Sequence, residues 1–556
     1  MGTSTKKTSR IGQFLSLPKK KLYLYALIFI FLTGFILRTY HLDSLPPSLN
    51  RDEVALGYNA YSILTTGRDE HGKFLPLSLE SFGDWKLSGY PFTDIPFIAF
   101  FGLNEFAVRL PSALAGSLSV ILIYLIAGFI FKKKAISLLA SFFFALSPWN
   151  IFFSRAAYEV NLGLSFFLTG LVFLLWYGES KKKTWKLFVS GVFFILPLFT
   201  YHAFILFTPL FIFPLLYLYR KEISLKSSVI FGITVFIFCV LGYVNISVSG
   251  LNKISTLSVF SNKDIIYDRA EKLRGDGSVD NLFIAHILYN KYFAGSYQIA
   301  QNYVSTFSPA FLFDKGGEKT VHNLGYFGNL YIFDVILLCA GLFFLISRRD
   351  PALAIIGLWL LVAPLPSALT LDPQNSTRFY PILPAFIFLS SYGAYYLYVL
   401  LTQNRLRSIL LVGLTGLFLF NVLLFMDGYF VHMSIQRARF WDYGYKQSVQ
   451  LSQQYPTFQA VMRGPENFPY IYFLFYNKYD SQRFRKEVSY YPPTKEGFLY
   501  VKSFGKFSFP PTINYSDLHS RTLYIDNYVQ RNSTDHPIHT INLPSNEPIF
   551  IYEIKQ

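Results

Sequence analysis

Cysteine is nearly missing from this chain: Cys239 and Cys339 are the two among 556 residues, each inside an apolar stretch. Such a pair supplies neither a disulfide framework nor a cysteine metal site. Charge is scarce as well. Asp, Glu, Lys and Arg make up 15% of the residues, against about 25% in soluble domains. No Gly-rich nucleotide fingerprint stands out, and nothing repeats at about 20 to 50 residues. These absences set aside a disulfide-stapled secreted domain, a solenoid and an enzyme fed by a soluble sugar nucleotide.

What is present is apolar and aromatic surface. The chain is 52% hydrophobic, with 60 Phe and 40 Tyr, a composition suited to lipid and its interface. The net charge of +17 does not indicate nucleic acid, because the basic residues come in short runs between apolar spans rather than along one face. Membrane-crossing helices need about 20 apolar residues. The stretches that qualify lie near 22–38, 107–131, 135–152, 161–178, 187–203, 204–219, 227–247, 329–347, 352–370, 380–401 and 408–427, about eleven helices. The first reads as a retained anchor rather than a cleaved signal, since no small-residue cleavage site follows it.

Orientation follows from the basic runs. Lys132–Lys134, Lys181–Lys183, Arg220-Lys221, Arg348-Arg349 and Arg405 with Arg407 fall at every second boundary. By the positive-inside rule these ends and the N-terminus are cytoplasmic. An odd number of spans sends the C-terminus to the extracytoplasmic face. Three polar pieces then lie outside: the loops at about 39–106 and 248–328, and the tail 428–556. In the tail, Tyr470–Phe475 and Ile549–Tyr552 read as strands between turns. The expectation is an α-helical polytopic membrane protein, with a transmembrane domain over 1–427 and a small extracytoplasmic mixed α/β domain over 428–556.

The external loops hold the groups fit for chemistry. The first carries Asn50-Arg51-Asp52-Glu53, opening an amphipathic helix with Leu56, Ala60 and Ile63 on one stripe. Asn50-x-x-Glu53 also reads as a plain capping box, which accounts for Glu53 but not for Asp52. Asp69-Glu70-His71 reads as a solvated turn in preference to a metal site. Lys86, beside Trp85, is placed either to snorkel or to hold a phosphate as a compact charge. Glu105 and Arg109, four apart, read as a structural ion pair. Arg155 and Arg378 fall at the same interface as Asp52 and Lys86; each alone is an interfacial anchor, and together they form a cationic rim around a carboxylate, suited to an anionic headgroup and a leaving phosphate.

Asn50–Glu53, Gly67-Arg68-Asp69-Glu70, Gly83-Asp84-Trp85-Lys86 and Gly102–Ser112 together resemble the start of a bacterial lipid-carrier-dependent glycosyltransferase. The chain resembles the protein-mannosyltransferase superfamily of GT-C type, which includes the aminoarabinose transferase of lipid A modification, over about residues 20–400. The resemblance implies a polyprenyl-phosphate sugar donor, transfer to an acceptor glycan, lipid or protein on the extracytoplasmic face of the plasma membrane, and inversion at the anomeric carbon. It implies a catalytic carboxylate at Asp52 with Glu53 beside it, a donor-phosphate contact at Lys86, a second acidic position at Glu159 and a late-loop arginine at Arg378. Lys86 is followed by Leu87-Ser88-Gly89-Tyr90-Pro91, where the aminoarabinose enzymes have prolines directly. Arg155 joins the phosphate-binding candidates. A divalent metal on Asp52 or Glu159 is left open as a cofactor. The alternatives are a lipid-linked saccharide flippase and a polysaccharide ligase. A flippase places ionisable groups near the bilayer midplane, whereas here they gather in external loops.

Overall fold

The computed structural model describes residues 19–179, 184–219, scattered positions between 229 and 243, 258–261, 271, 283, 290–402, 405–494, 497–513, 520–527 and 536–554. About half of the predicted span 227–247, most of the loop 248–328 ahead of Asn290, Cys239, the basic residues before Lys19, and the runs Lys181–Lys183 and Arg220-Lys221 lie outside the described residues.

Helices stand at every predicted span within that set. They are α1 (Lys19–Thr39), α4 (Glu105–Phe131), α5 (Lys134–Leu146), α6 (Pro148–Ser154), α7 (Glu159–Glu179), α8 (Thr184–Ile195), α9 (Ala203–Tyr219), α11 (Asp334–Ser347), α12 (Ala352–Val362), α13 (Leu383–Leu401) and α14 (Arg405–Asp427). Among the described residues five helices are long and apolar enough to cross a membrane, or six when the α5–α6 pair counts as one span. The chain is therefore a multi-pass membrane protein. The stretches at 184–199, 203–217, 334–347 and 352–368 form shorter apolar helices.

The bend between α5 and α6 is 55° and has a visible cause. Pro148 cannot continue the ladder of hydrogen bonds, so carbonyls at the end of α5 lose their helical partners. Arg38, at the end of α1, takes them: its guanidinium donates to the carbonyls of Ala145 and Phe144, each at 3.1 Å, and to Asn150 Oδ1. The bundle core is aromatic. Trp359 sits among Phe167, Phe207, Phe211 and Phe388.

The first loop folds into α2 (Arg51–Thr66), a hairpin of β1 (Ser78–Ser81) and β2 (Asp84–Leu87), and α3 (Gly89–Phe101). Its hairpin turns at Phe82 and Gly83, both at positive φ, the two-residue geometry that matches strand twist. Later segments add α10 (Lys291–Ser305), α15 (Tyr445–Gln454), α16 (Tyr470–Tyr476) and α17 (Ser481–Glu487). The tail's strands are β3 (Gln459–Met462), β4 (Ser489–Tyr490), β5 (Val501–Phe504), β6 (Phe507–Ser508), β7 (Thr522–Asn527), β8 (His539–Asn542) and β9 (Pro548–Ile554). They form one mixed sheet in the order β4-β5-β6-β3-β7-β9-β8, with β3 parallel to both β6 and β7.

One expectation for the tail is corrected. Tyr470–Phe475 is helix α16, not a strand, with all six side chains buried. A run of six apolar residues carries no period that separates strand from buried helix. Here the helix is wedged between α2 and the sheet: Phe475 reaches Gly57 of α2, and Phe473 packs on Phe507 of β6. The first loop and the tail thus share one hydrophobic core, containing Val54, Tyr58 and Phe82 together with Ile471, Phe473, Val501 and Ile549.

Candidate active site

Asn50 caps α2 in full. Its Oδ1 accepts from the backbone N–H groups of Asp52 and Glu53, and Glu53 Oε2 accepts from the Asn50 N–H. The cap fixes two carboxylates in the first turn, where the helix dipole favours negative charge, and it sends them in different directions. Glu53 points inward and is 2% exposed. Its oxygens accept from Arg109 Nε at 3.0 Å, Arg109 Nη2 at 3.2 Å and the Ala157 N–H at 2.9 Å. Asp52 points outward and is 58% exposed.

Lys86 meets Asp52 from the hairpin. The register pairs Leu79 with Lys86 and Glu80 with Trp85, and alternation puts Lys86 and Trp85 on opposite faces. Trp85 covers Lys73, 4.0 Å from its ring. The Lys86 side chain, 8% exposed, crosses the Phe82 ring at 5.0 Å and donates to Asp52 Oδ1 at 2.6 Å. The tail holds this turn in place, since the Leu499 N–H donates to the Phe82 carbonyl. It also holds the cap: Asp442 Oδ2 accepts from the Arg51 N–H at 3.1 Å and from the Tyr472 hydroxyl at 2.6 Å. Burial pushes the Asp442 carboxyl up to about 6.

Tyr158 and His322 join the same end of the bundle. The Tyr158 ring lies edge-on to His322 at 5.6 Å, and its hydroxyl donates to the Val321 carbonyl. Burial first, then the negative charges of Glu53 and Asp52, keeps the Tyr158 hydroxyl protonated. Burial, aided by Lys319, lowers His322 to about 3, with Asp52 and Asp372 pulling the other way and Arg378 adding to the fall. The imidazole is therefore neutral, and its Nδ1 is buried without a hydrogen bond. Arg378 is half-buried, donating to Thr370 Oγ1 at 3.0 Å and to the Asp372 carbonyl at 3.1 Å. Tyr201 lies within the fields of Arg378, Glu159 and Asp372, and shares a 2.7 Å hydrogen bond with Thr377 Oγ1. Asp52, Lys86, Glu159 and Arg378 thus gather at one end of the bundle, linked through Tyr158, His322 and Tyr201.

Other expected partnerships differ. Arg155 is fully buried, and its guanidinium donates to the carbonyls of Leu37 at 2.8 Å, Tyr40 at 2.6 Å and Leu45 at 3.0 Å, tying α6 to the end of α1. Glu105 and Arg109 are not paired to each other: Arg109 turns to Glu53, and Glu105 takes Lys446 of the tail at 2.7 Å and the Tyr476 hydroxyl at 3.1 Å. The Asp69-Glu70-His71 turn is not solvated. Asp69 and Glu70 are fully buried; Asp69 accepts from the N–H groups of His71 and Lys73, and Glu70 accepts from Asn59. Burial raises the Glu70 carboxyl above its ordinary value. As to a metal, Asp52 and Glu159 supply two carboxylates, and among the described residues no group of three or more His, Cys, Asp or Glu is arranged around an ion position.

The profile of the dolichyl-phosphate-mannose-protein mannosyltransferase family matches residues 95–245, a segment that includes α4 to α9. The match covers about a quarter of the chain. Two solved proteins resemble this chain in structure. ArnT from Cupriavidus metallidurans, in the apo state, is 11% identical with a TM-score of 0.47, over 83% of this chain and 85% of that one; it has also been solved bound to undecaprenyl phosphate. The archaeal oligosaccharyltransferase AglB from Archaeoglobus fulgidus, in complex with an inhibitory peptide and a dolichol-phosphate, is 12% identical with a TM-score of 0.46, over 82% of this chain. This chain spans 64% of the length of AglB. No curated protein sequence matches it.

Proposed function

We propose that this protein is a membrane glycosyltransferase of GT-C type that moves a sugar from a polyprenyl-phosphate carrier to an acceptor hydroxyl on the extracytoplasmic face. The observation that carries the reading is the 2.6 Å pair of exposed Asp52 and buried Lys86, at the end of the bundle where Glu159 and Arg378 gather. The family description, which names a dolichyl-phosphate sugar, supports the donor class.

The chemistry follows from the charges. In the resting site Lys86 neutralises Asp52. A donor phosphodiester competes for the lysine, and the carboxylate it releases becomes a general base. The acceptor O–H then gives its proton to Asp52 and its oxygen bonds to the anomeric carbon. The bond from that carbon to the phosphate oxygen breaks, and the polyprenyl phosphate leaves with the electron pair. A phosphate is a weak base and needs no acid; the added negative charge falls to Lys86 and Arg378. Glu53 and Arg155 position the site rather than react, because their hydrogen bonds run into buried protein. Glu159, whose charge acts on Tyr201, is assigned to the sugar hydroxyls. No step is routed through a metal.

The test is incubation of the purified protein with a panel of polyprenyl-phosphate monosaccharides, scoring release of free lipid phosphate. Release with one sugar, lost in Asp52→Asn, supports the reading. A flippase would move the intact lipid across a vesicle without releasing phosphate, and that outcome would replace it.

A further inference from the structure

The other end of the bundle holds a cavity that the proposed transfer does not use. It lies between α1, α5, α11, α13 and α14, has a volume of about 560 Å³, and is walled by Tyr23, Ile30, Leu139, Phe142, Tyr395 and Phe418, among others. That size falls in the range of about 300–1,000 Å³ typical of ligand pockets. Its walls run along α5 from Ala135 to Phe143, a depth of about 12 Å at the usual helical rise. Half the hydrocarbon core of a bilayer is about 15 Å. The cavity is therefore an apolar slot roughly one leaflet deep.

Its mouth is cationic. Lys133 Nζ donates to the Tyr396 hydroxyl at 2.7 Å and lies 5.0 Å from the Tyr395 ring. The Arg348 guanidinium lies 4.0 Å over Tyr396, and Lys134 Nζ lies 5.6 Å from the ring of Tyr23. All three basic residues are exposed. Of the carboxylates nearby, Asp350 accepts from the Tyr392 hydroxyl at 2.8 Å, and Glu179 is paired with Lys132. Positive charge at the headgroup level above a greasy slot is complementary to a lipid with one negative headgroup.

We infer that this slot binds an acyl chain of an anionic phospholipid from the leaflet at the basic end, with the headgroup phosphate on Lys133, Lys134 and Arg348. The site is separate from the Asp52 end, and the inference does not depend on the transfer reaction.

Native mass spectrometry of the full chain in detergent tests it, with dioleoyl phosphatidylglycerol, dioleoyl phosphatidylcholine, undecaprenyl phosphate and glycerol phosphate as probes. The expected result is one phosphatidylglycerol retained at least about tenfold more strongly than phosphatidylcholine, given about 1 kcal/mol per basic residue near a lipid surface, and no binding of glycerol phosphate. The triple variant Lys133→Ala, Lys134→Ala, Arg348→Ala should bring phosphatidylglycerol down to the phosphatidylcholine level. Leu139→Trp, which fills the slot, should remove both; if that variant fails to fold, the triple variant decides. Equal retention of the two phospholipids by the parent, an unchanged preference in the triple variant, or displacement of phosphatidylglycerol by equimolar undecaprenyl phosphate would each overturn the assignment.

Discussion

Asp52 and Glu53 are neighbours in sequence with opposite fates, and swapping each for its amide separates placement from chemistry. Glu53→Gln removes the negative partner of Arg109, which has no exposed surface. Breaking a buried ion pair costs about 3–5 kcal/mol. Arg109 keeps its bonds to the carbonyls of Leu42, Pro46 and Ser48, and the amide oxygen can still accept from Ala157, so the lower end, about 3 kcal/mol, is expected. Asp52→Asn removes a charge that is 58% exposed. Exposed pairs contribute about 0–1 kcal/mol; Lys86 is buried, but the Asn oxygen remains in reach to accept from it, which holds the cost near the top of that range. The two variants should therefore part cleanly in SDS-titrated unfolding and in single-temperature turnover. Glu53→Gln should unfold at markedly lower SDS yet turn over in proportion to its folded fraction. Asp52→Asn should unfold like the parent and transfer no sugar. Normal turnover in Asp52→Asn, or parental resistance in Glu53→Gln, refutes the division of labour.

Lys86→Ala should raise the donor KM by at least about tenfold, the loss of one charge-assisted contact, while the acceptor KM stays nearly constant; equal changes in both would argue against a phosphate contact. His322 is neutral in the fold down to about pH 3, against an ordinary value of 6.5, so the unfolded chain binds the extra proton and stability falls as pH drops through 6.5. Between pH 6.5 and 5 the site should cost about 2 kcal/mol, a slope that His322→Gln should abolish in unfolding curves taken at both pH values. At Gly57 a Cβ would lie 2.5 Å from Val108 Cγ2 and 2.9 Å from Phe475 Cε2. Gly57→Ala should cost about 1–3 kcal/mol by overpacking, and limited proteolysis of the tail should accelerate; an unchanged digestion pattern would show that the contact is slack.

The apolar spans and the cap at Asn50 were legible because each depends on neighbours in sequence: twenty-odd apolar residues, or one Asn three positions before a Glu. The alternation of basic runs set the expectation that Asp52, Lys86 and Arg378 face one side, and Glu159 joined them through the family resemblance. What failed was tertiary. Arg109 had an obvious partner four residues away and took a carboxylate from α2 instead, while Glu105 was drawn to Lys446 and Tyr476 of the tail. The turn at Asp69 looked wet until the tail came to cover it, with Arg485 donating to the Asp69 carbonyl at 3.0 Å. His322 sits in a loop with no periodicity to mark it; its closeness to Asp52 appears only when the loop is folded. Tyr470–Tyr476 depended on what lay on both sides.

The seating of α16 against α2 bears on how such a protein is made. Asp52 emerges from the ribosome early, yet the wedge, the Asp442 tether and the strand partners that frame it are synthesised after the last helix of the bundle. A nascent chain threaded into the bilayer would carry Asp52 in an unframed loop until the tail arrives. The framed site would then be completed late, after the whole bundle has been inserted.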